Sequence, residues 1–288
     1  MNGGLAAGWT FPGMLRVMSE EKRDFTTFIG VDLGGGKGKN TAVACLERSD
    51  KGARVVHVST RAEEGGPFHD RDLVAYVDQR RRGALLAIDA PLTVSLCVRC
   101  GLRSCLSLER CEDPVARWFR EVGDPMVRQR TRSSRKPPTT AYTQRACEVL
   151  LHRRYGIMPR EALGQGMGPL TARAHYLRRV LEDRFTLNEN LIEVYPKATI
   201  HVLFGEELAR SYKRGVDTWR QRAEILEALG DELRFEVWRQ GCLENDHCFD
   251  AVICAYTGYL WATQGWAMPE EHRQVFEQDG WIWFPRVD

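Results

Sequence analysis

Residues 27–48, TFIGVDLGGGKGKNTAVACLER, decide the fold. The apolar run over 27–33 reads as a buried strand, GGGKGKN as a glycine-rich hairpin turn, and TAVACLER (41–48) as the returning strand. RVVHVST (54–60) reads as a third, so the three form an antiparallel meander. Further along, PFHDRDLVAYVDQRRR fits a helix and ALLAID a fourth strand. After a long excursion, NLIEVYP fits a fifth. Three antiparallel strands, a helix and more strands reached through crossovers predict an α/β domain over 25–288 with a mixed five-stranded sheet flanked by helices. A cysteine-containing and helical insertion over 92–140 follows the fourth strand, and residues 1–24 are expected to be a flexible arm.

Four acids stand where apolar sequence should exclude them: Asp32 in FIGVDLG, Asp89 in ALLAIDAP, Glu193 in LIEVYP and Asp250 just before AVICAY. A charge at the end of a buried strand costs several kcal/mol unless something positive offsets it. One such acid can cap a helix or form a salt bridge. Four together suit a hard cation such as Mg²⁺ or Mn²⁺, which prefers oxygen ligands and keeps water for a substrate. On a helix, positions 247 and 250 lie three apart and 246 and 250 four apart, so His247 or Asp246 can share a face with Asp250. Asp246 is alternatively the N-cap.

GVDLGGG followed by TAVA, AIDAPL, EVYP and DHCFDAVICAY resemble, in order and spacing, the motifs of the domain of unknown function 429 family, predicted nucleases with a ribonuclease H-like fold. The resemblance covers residues 26–96 and 140–263. It implies a ribonuclease H-like sheet with the acids at one end of adjacent central strands and Asp250 reaching them from a helix. Holliday-junction resolvases of the RuvC type are similar in having an acid on the first strand and a final helix with a His-x-x-Asp pattern, a spacing that His247 and Asp250 reproduce. Arg145 and Glu148, one helical turn apart in TQRACEVL, resemble an Arg/Glu pair of the same family; a surface ion pair is the plainer reading.

These acids predict a metal-dependent nuclease that cleaves phosphodiester bonds of DNA or RNA. Asp32 would bridge two metal ions about 3.5–4 Å apart, Asp89 and Asp250 would each complete one, and Glu193 would be a further ligand or an outer base. Lys37, Lys39 or Arg145 could neutralise charge on the transferring phosphate. The segment from Met126 carries Arg128, Arg130, Arg132, Arg135, Lys136 and Arg145 without an acid, a composition suited to gripping a polyanion. Two other classes compete. One is a non-catalytic nucleic-acid-binding protein; the other is a sugar kinase or actin-like phosphotransferase, which needs two such halves where one is visible.

Cys97, Cys100, Cys105 and Cys111 make C-x2-C-x4-C-x5-C directly after Asp89, while the other five cysteines are scattered. In a cytoplasmic protein four clustered thiols rarely form disulfides. Structural zinc commonly uses two knuckles a dozen or more residues apart. A tight run within one loop fits an iron–sulfur cluster (4Fe-4S) better, as in the loops of certain DNA glycosylases. A hydrophobic content of 43% allows a substantial core, and the net charge of +2 is close to neutral. No apolar run approaches the roughly 18 residues of a membrane span, so a cytoplasmic protein with no membrane partner is expected. Resolution of branched substrates would imply a homodimer.

Overall fold

A computed structural model describes residues 22–36, 40–128 and 139–285. Its sheet has six strands: β1 (Thr27–Asp32), β2 (Ala42–Ser49), β3 (Gly52–Ser59), β4 (Ala84–Asp89), β5 (Leu191–Glu193) and β6 (Leu233–Phe235). Their order is β5-β4-β1-β2-β3-β6. The meander β1-β2-β3 is antiparallel, while β4 joins β1, β5 joins β4 and β6 joins β3 in parallel. The expected count of five is therefore corrected to six. The added strand is three residues long, Leu-Arg-Phe, and only its pairing with Ala53–Val55 makes it a strand.

Both faces of the sheet are covered, which is why β1 and β4 read as continuous apolar runs instead of alternating with polar residues. Phe28, Ala42, Ala44, Leu85 and Ala87 pack on one side against the long helix Asp246–Gln264. Ile29, Val31, Val43, Leu86 and Ile88 pack on the other side with Leu73 and Val77 of the helix Asp70–Gln79 and Leu177 of the helix Gly168–Leu181. The long helix lies unusually close to β1. A Cβ built on Gly30 would come 2.1 Å from Ala251 O and 2.4 Å from Ala255 N, so only glycine fits there. That contact sets the height at which the first turns of the helix meet the ends of β1 and β4.

The excursion between β4 and β5 extends beyond the expected insertion. It holds the short helices Leu96–Arg99, Pro114–Trp118 and Asp124–Arg128, and then Ala146–Tyr155 and Gly168–Leu181, the last of which belongs to the sheet packing itself. At the N-terminal side, Arg23 lies 3.7 Å over the Trp261 ring and its backbone N–H donates to Ala262 O, so the chain is already docked before residue 24. The C-terminal Trp281, Trp283 and Phe284 are buried, and Val194 and Trp283 form a parallel bridge beside β5. No helix among the described residues is long and apolar enough to cross a membrane.

Candidate metal centre

Asp32 and Asp89 end adjacent parallel strands in direct register. Side chains alternate along a strand, so Asp32 shares a side with Phe28 and Gly30, and Asp89 with Leu85 and Ala87. This is the side that the long helix covers. Asn245 caps that helix, its side chain accepting from the His247 and Cys248 N–H groups, and Asp250 follows one turn into it. Asp246 is therefore the first helical residue and not the cap. One oxygen each from Asp32, Asp89 and Asp250 lies within 4.8 Å of the others, close enough for all three to be offered to one metal ion.

The charges around these three carboxylates are unbalanced. Asp250 is 0% exposed. Lys213, from the turn after the helix Glu206–Ser211, forms an ion pair with its Oδ2. Both Asp250 oxygens are buried, and Lys213 is the one cation paired with them among the described residues. Burial pushes the Asp250 carboxyl up to about 7, Lys213 opposing this and Asp32 adding to it. Asp89 keeps some open surface, yet burial raises its carboxyl well above the usual range and the charges of Asp32 and Asp250 raise it further. For Lys213, burial works against its charge but Asp250, Asp32 and Asp89 outweigh it, so its ammonium is held more firmly than usual.

His247 Nδ1 stands 2.6 Å from Asp32 Oδ2. That hydrogen bond raises the imidazole above its ordinary pKa despite partial burial. Of the two candidates near Asp250, His247 is thus the one beside the cluster. It touches Asp32 and does not join the three converging oxygens.

Glu193 is engaged elsewhere. By strand alternation it shares a side with Leu191, opposite Ile192, and so faces away from the aspartates. Arg145 grips it with both ends, Nη1 to Oε2 at 2.7 Å and Nη2 to Oε1 at 2.6 Å, and the Leu92 N–H donates to Oε2 at 2.8 Å. Arg145 is 1% exposed. Its Nε donates to Glu148 Oε1 and its Nη1 to Thr93 Oγ1. The reading of Arg145 as a phosphate contact is therefore corrected, since its donors are used inside the protein. The Arg145–Glu148 pair does form, but as a buried pair and not a surface one. Arg128 closes the helix Asp124–Arg128, with only its backbone described. Lys37, Lys39, Arg130, Arg132, Arg135 and Lys136 lie outside the described residues.

Cys97, Cys100 and Cys105 are exposed and Cys111 is half-buried, while the other five thiols are buried. Sequence reasoning missed Lys213, Thr93 and Asp279. Lys213 sits in SYKRG between two helices, and no spacing relates it to strand ends more than a hundred residues earlier.

Residues 30–273 match the family model described as "Protein of unknown function (DUF429)". No curated protein and no solved structure matches the chain. The family match spans most of the sequence, so the protein belongs to that family.

Proposed function

We propose that this DUF429 protein is a divalent-metal-dependent nuclease with a ribonuclease H-like sheet, hydrolysing phosphodiester bonds in DNA or RNA. The observation that carries the reading is the convergence of Asp32, Asp89 and Asp250 at the buried ends of two strands and a helix, with the single ammonium of Lys213 paired to Asp250. Three converging carboxylates are expensive to bury, and a hard cation accepting oxygen ligands would relieve both the desolvation and the mutual repulsion. Supporting the fold assignment is the order β5-β4-β1-β2-β3, in which a three-strand meander is extended on the β1 side by two parallel strands. A divalent cation held there would polarise the phosphate and supply an activated water.

The chain's own groups have distinct parts in this proposal. Asp32, Asp89 and Asp250 would hold the cation, and Asp250 belongs to a helix that Gly30 lets lie flush against the sheet. His247 fixes the orientation of Asp32 through its Nδ1 and carries a proton at the rim of the cluster. Lys213 balances the carboxylates through Asp250 and would offer its charge to a phosphate oxygen of the substrate.

Purified protein is to be incubated with labelled single-stranded, duplex and branched DNA and RNA, each with Mg²⁺, with Mn²⁺ and with chelator. Cleavage that requires the cation and disappears in Asp32→Asn, with the variant folded and still binding the substrate, is the expected result. Cation-independent binding without any cleavage would favour the non-catalytic reading. Full activity in Asp32→Asn would remove the carboxylate cluster from the chemistry.

A further inference from the structure

Nine cysteines are present, and the four that solvent reaches all fall within the fifteen residues 97–111, in the loop that leaves the strand carrying Asp89. This loop is fixed at both ends and held by nothing in the middle. At its start, Cys97 N–H donates to Ala141 O at 3.2 Å and Arg99 pairs with buried Asp279 at 3.3 Å. At its end, Arg120 Nη1 donates to both Leu108 O and Cys111 O at 2.6 Å. From Gly101 through Leu106 the chain makes no hydrogen bond. Val98, Leu102 and Leu106 are exposed at 54%, 67% and 69%, so no apolar packing replaces the missing bonds. Ser107 adopts φ 85° and ψ 160°, a conformation that costs a non-glycine residue about 1–3 kcal/mol and persists only where its surroundings enforce it. Hydrogen bonds and core contacts do not account for the shape of this segment.

What the loop does carry is four thiols, three exposed and one half-buried, in the spacing C-x2-C-x4-C-x5-C. No three of these sulfurs lie within 4.8 Å of one another, so a metal would have to draw the unbonded segment inward. In chain order the ligands alternate with exposed apolar side chains, so drawing the sulfurs inward would also gather Val98, Leu102 and Leu106 around them.

We propose that Cys97, Cys100, Cys105 and Cys111 are the ligands of a single tetrathiolate metal centre that cross-links the loop leaving β4. Four thiolates select soft or borderline metal, either an iron–sulfur cluster or zinc. The compact spacing within one loop favours the cluster. The centre's role is structural. Between Asp89 and the first ligand lie Leu92 and Thr93, whose contacts with Glu193, Arg145 and Asp279 join the sheet to the rest of the excursion. A cross-link at Cys97 would hold that junction.

The test needs no nucleic acid, so its result is independent of the nuclease proposal. Protein purified without oxygen is analysed for iron, acid-labile sulfide and zinc per chain. The native protein is also alkylated with iodoacetamide, and the modified cysteines are mapped by mass spectrometry before and after denaturation in chelator. About four iron with matching sulfide and a brown colour, or about one zinc and no colour, supports the centre, provided the four loop thiols are protected in the native state. Replacing all four with Ser should abolish metal content while Cys45→Ser leaves it unchanged. Metal below about a tenth of these amounts, with the four loop thiols alkylated as fast as free cysteine, would overturn the proposal even if the serine variant fails to fold.

Discussion

Asp89 shows what the metal-free centre costs at the scale of a single residue. Burial and the charges of Asp32 and Asp250 raise its carboxyl well above the usual range, so the folded state prefers it protonated. Asp250 is shifted the same way, to about 7. A group that binds its proton more tightly when folded loses stability as pH rises from the unfolded value through the folded one. For Asp250 that window runs from the ordinary aspartate range near 4 up to about 7, and Asp89 contributes in the same direction. His247, raised by Asp32, adds a contribution of the same sign above its unfolded value. Metal-free protein is therefore expected to melt at lower temperature at pH 8 than at pH 5, and Mn²⁺ should recover more at pH 8, where protons no longer compete. Asp89→Asn should stabilise the metal-free protein at pH 8 by about 1–3 kcal/mol and remove most of the Mn²⁺ effect. Scanning calorimetry at the two pH values reads both, and a destabilised Asp89→Asn would refute the claim of repulsion. The three aspartates were legible because each interrupts an apolar run. Lys213 was not, because an ordinary lysine between helices gains its meaning from tertiary contact alone.

At the scale of elements, the centre depends on how closely the long helix lies on β1. Gly30→Ala would put a methyl against Ala251 O and Ala255 N, backbone atoms that no side-chain rotation can clear. Overpacking of this kind costs about 1–3 kcal/mol or more, and the helix must lift to accommodate it. Lifting it carries Asp250 away from Asp32 and Asp89, so the expected signature is a weakened Mn²⁺ response larger than the loss of stability explains. Ala251→Gly is the corresponding control, because it leaves the close approach intact. A Gly30→Ala protein with unchanged Mn²⁺ affinity would show that the helix does not position the site. The same strand physics explains what the sequence disclosed. β1, β2, β3 and β4 are long enough for their apolar runs to be read directly, and β5 was found from LIEV beside a proline. β6 has three residues and a partly exposed pattern, so its strand character comes from β3 and not from its own composition. Glu193 looked like a fourth ligand because it also ends an apolar strand. The register places it beside Ile88, one residue out of phase with Asp89, and so on the opposite side.

Across the whole molecule, the excursion between β4 and β5 is joined to the sheet by a second polar cluster, chemically unlike the first. Arg145 compensates Glu193 and Glu148, while Asp279 accepts from the Ala146 N–H at 2.6 Å and from Arg99. Ala162 N–H donates to Glu148, so the strand β5, the helix Ala146–Tyr155 and the following loop meet around the Arg145 guanidinium, and the C-terminal helix Arg273–Asp279 joins them through the Ala146 N–H. Burial pushes Glu148 up to about 7 even beside Arg145, a sign of how little solvent reaches this junction. Removing one partner from such a cluster leaves uncompensated charge in a dry site, which is far more damaging than the pair's net worth would suggest. Arg145→Ala should accordingly destabilise the protein by about 3–5 kcal/mol in urea titration. Because Arg145 touches none of Asp32, Asp89 and Asp250, the variant should keep its Mn²⁺-dependent stabilisation at concentrations where it remains folded. Had Arg145 served a bound phosphate, as its place in a basic segment suggested, the result would be reversed: little change in stability and a loss confined to nucleic-acid binding. A destabilisation below about 1 kcal/mol would therefore return Arg145 to the substrate and dissolve the proposed division between a carboxylate site that awaits a cation and a guanidinium site that already has its anions.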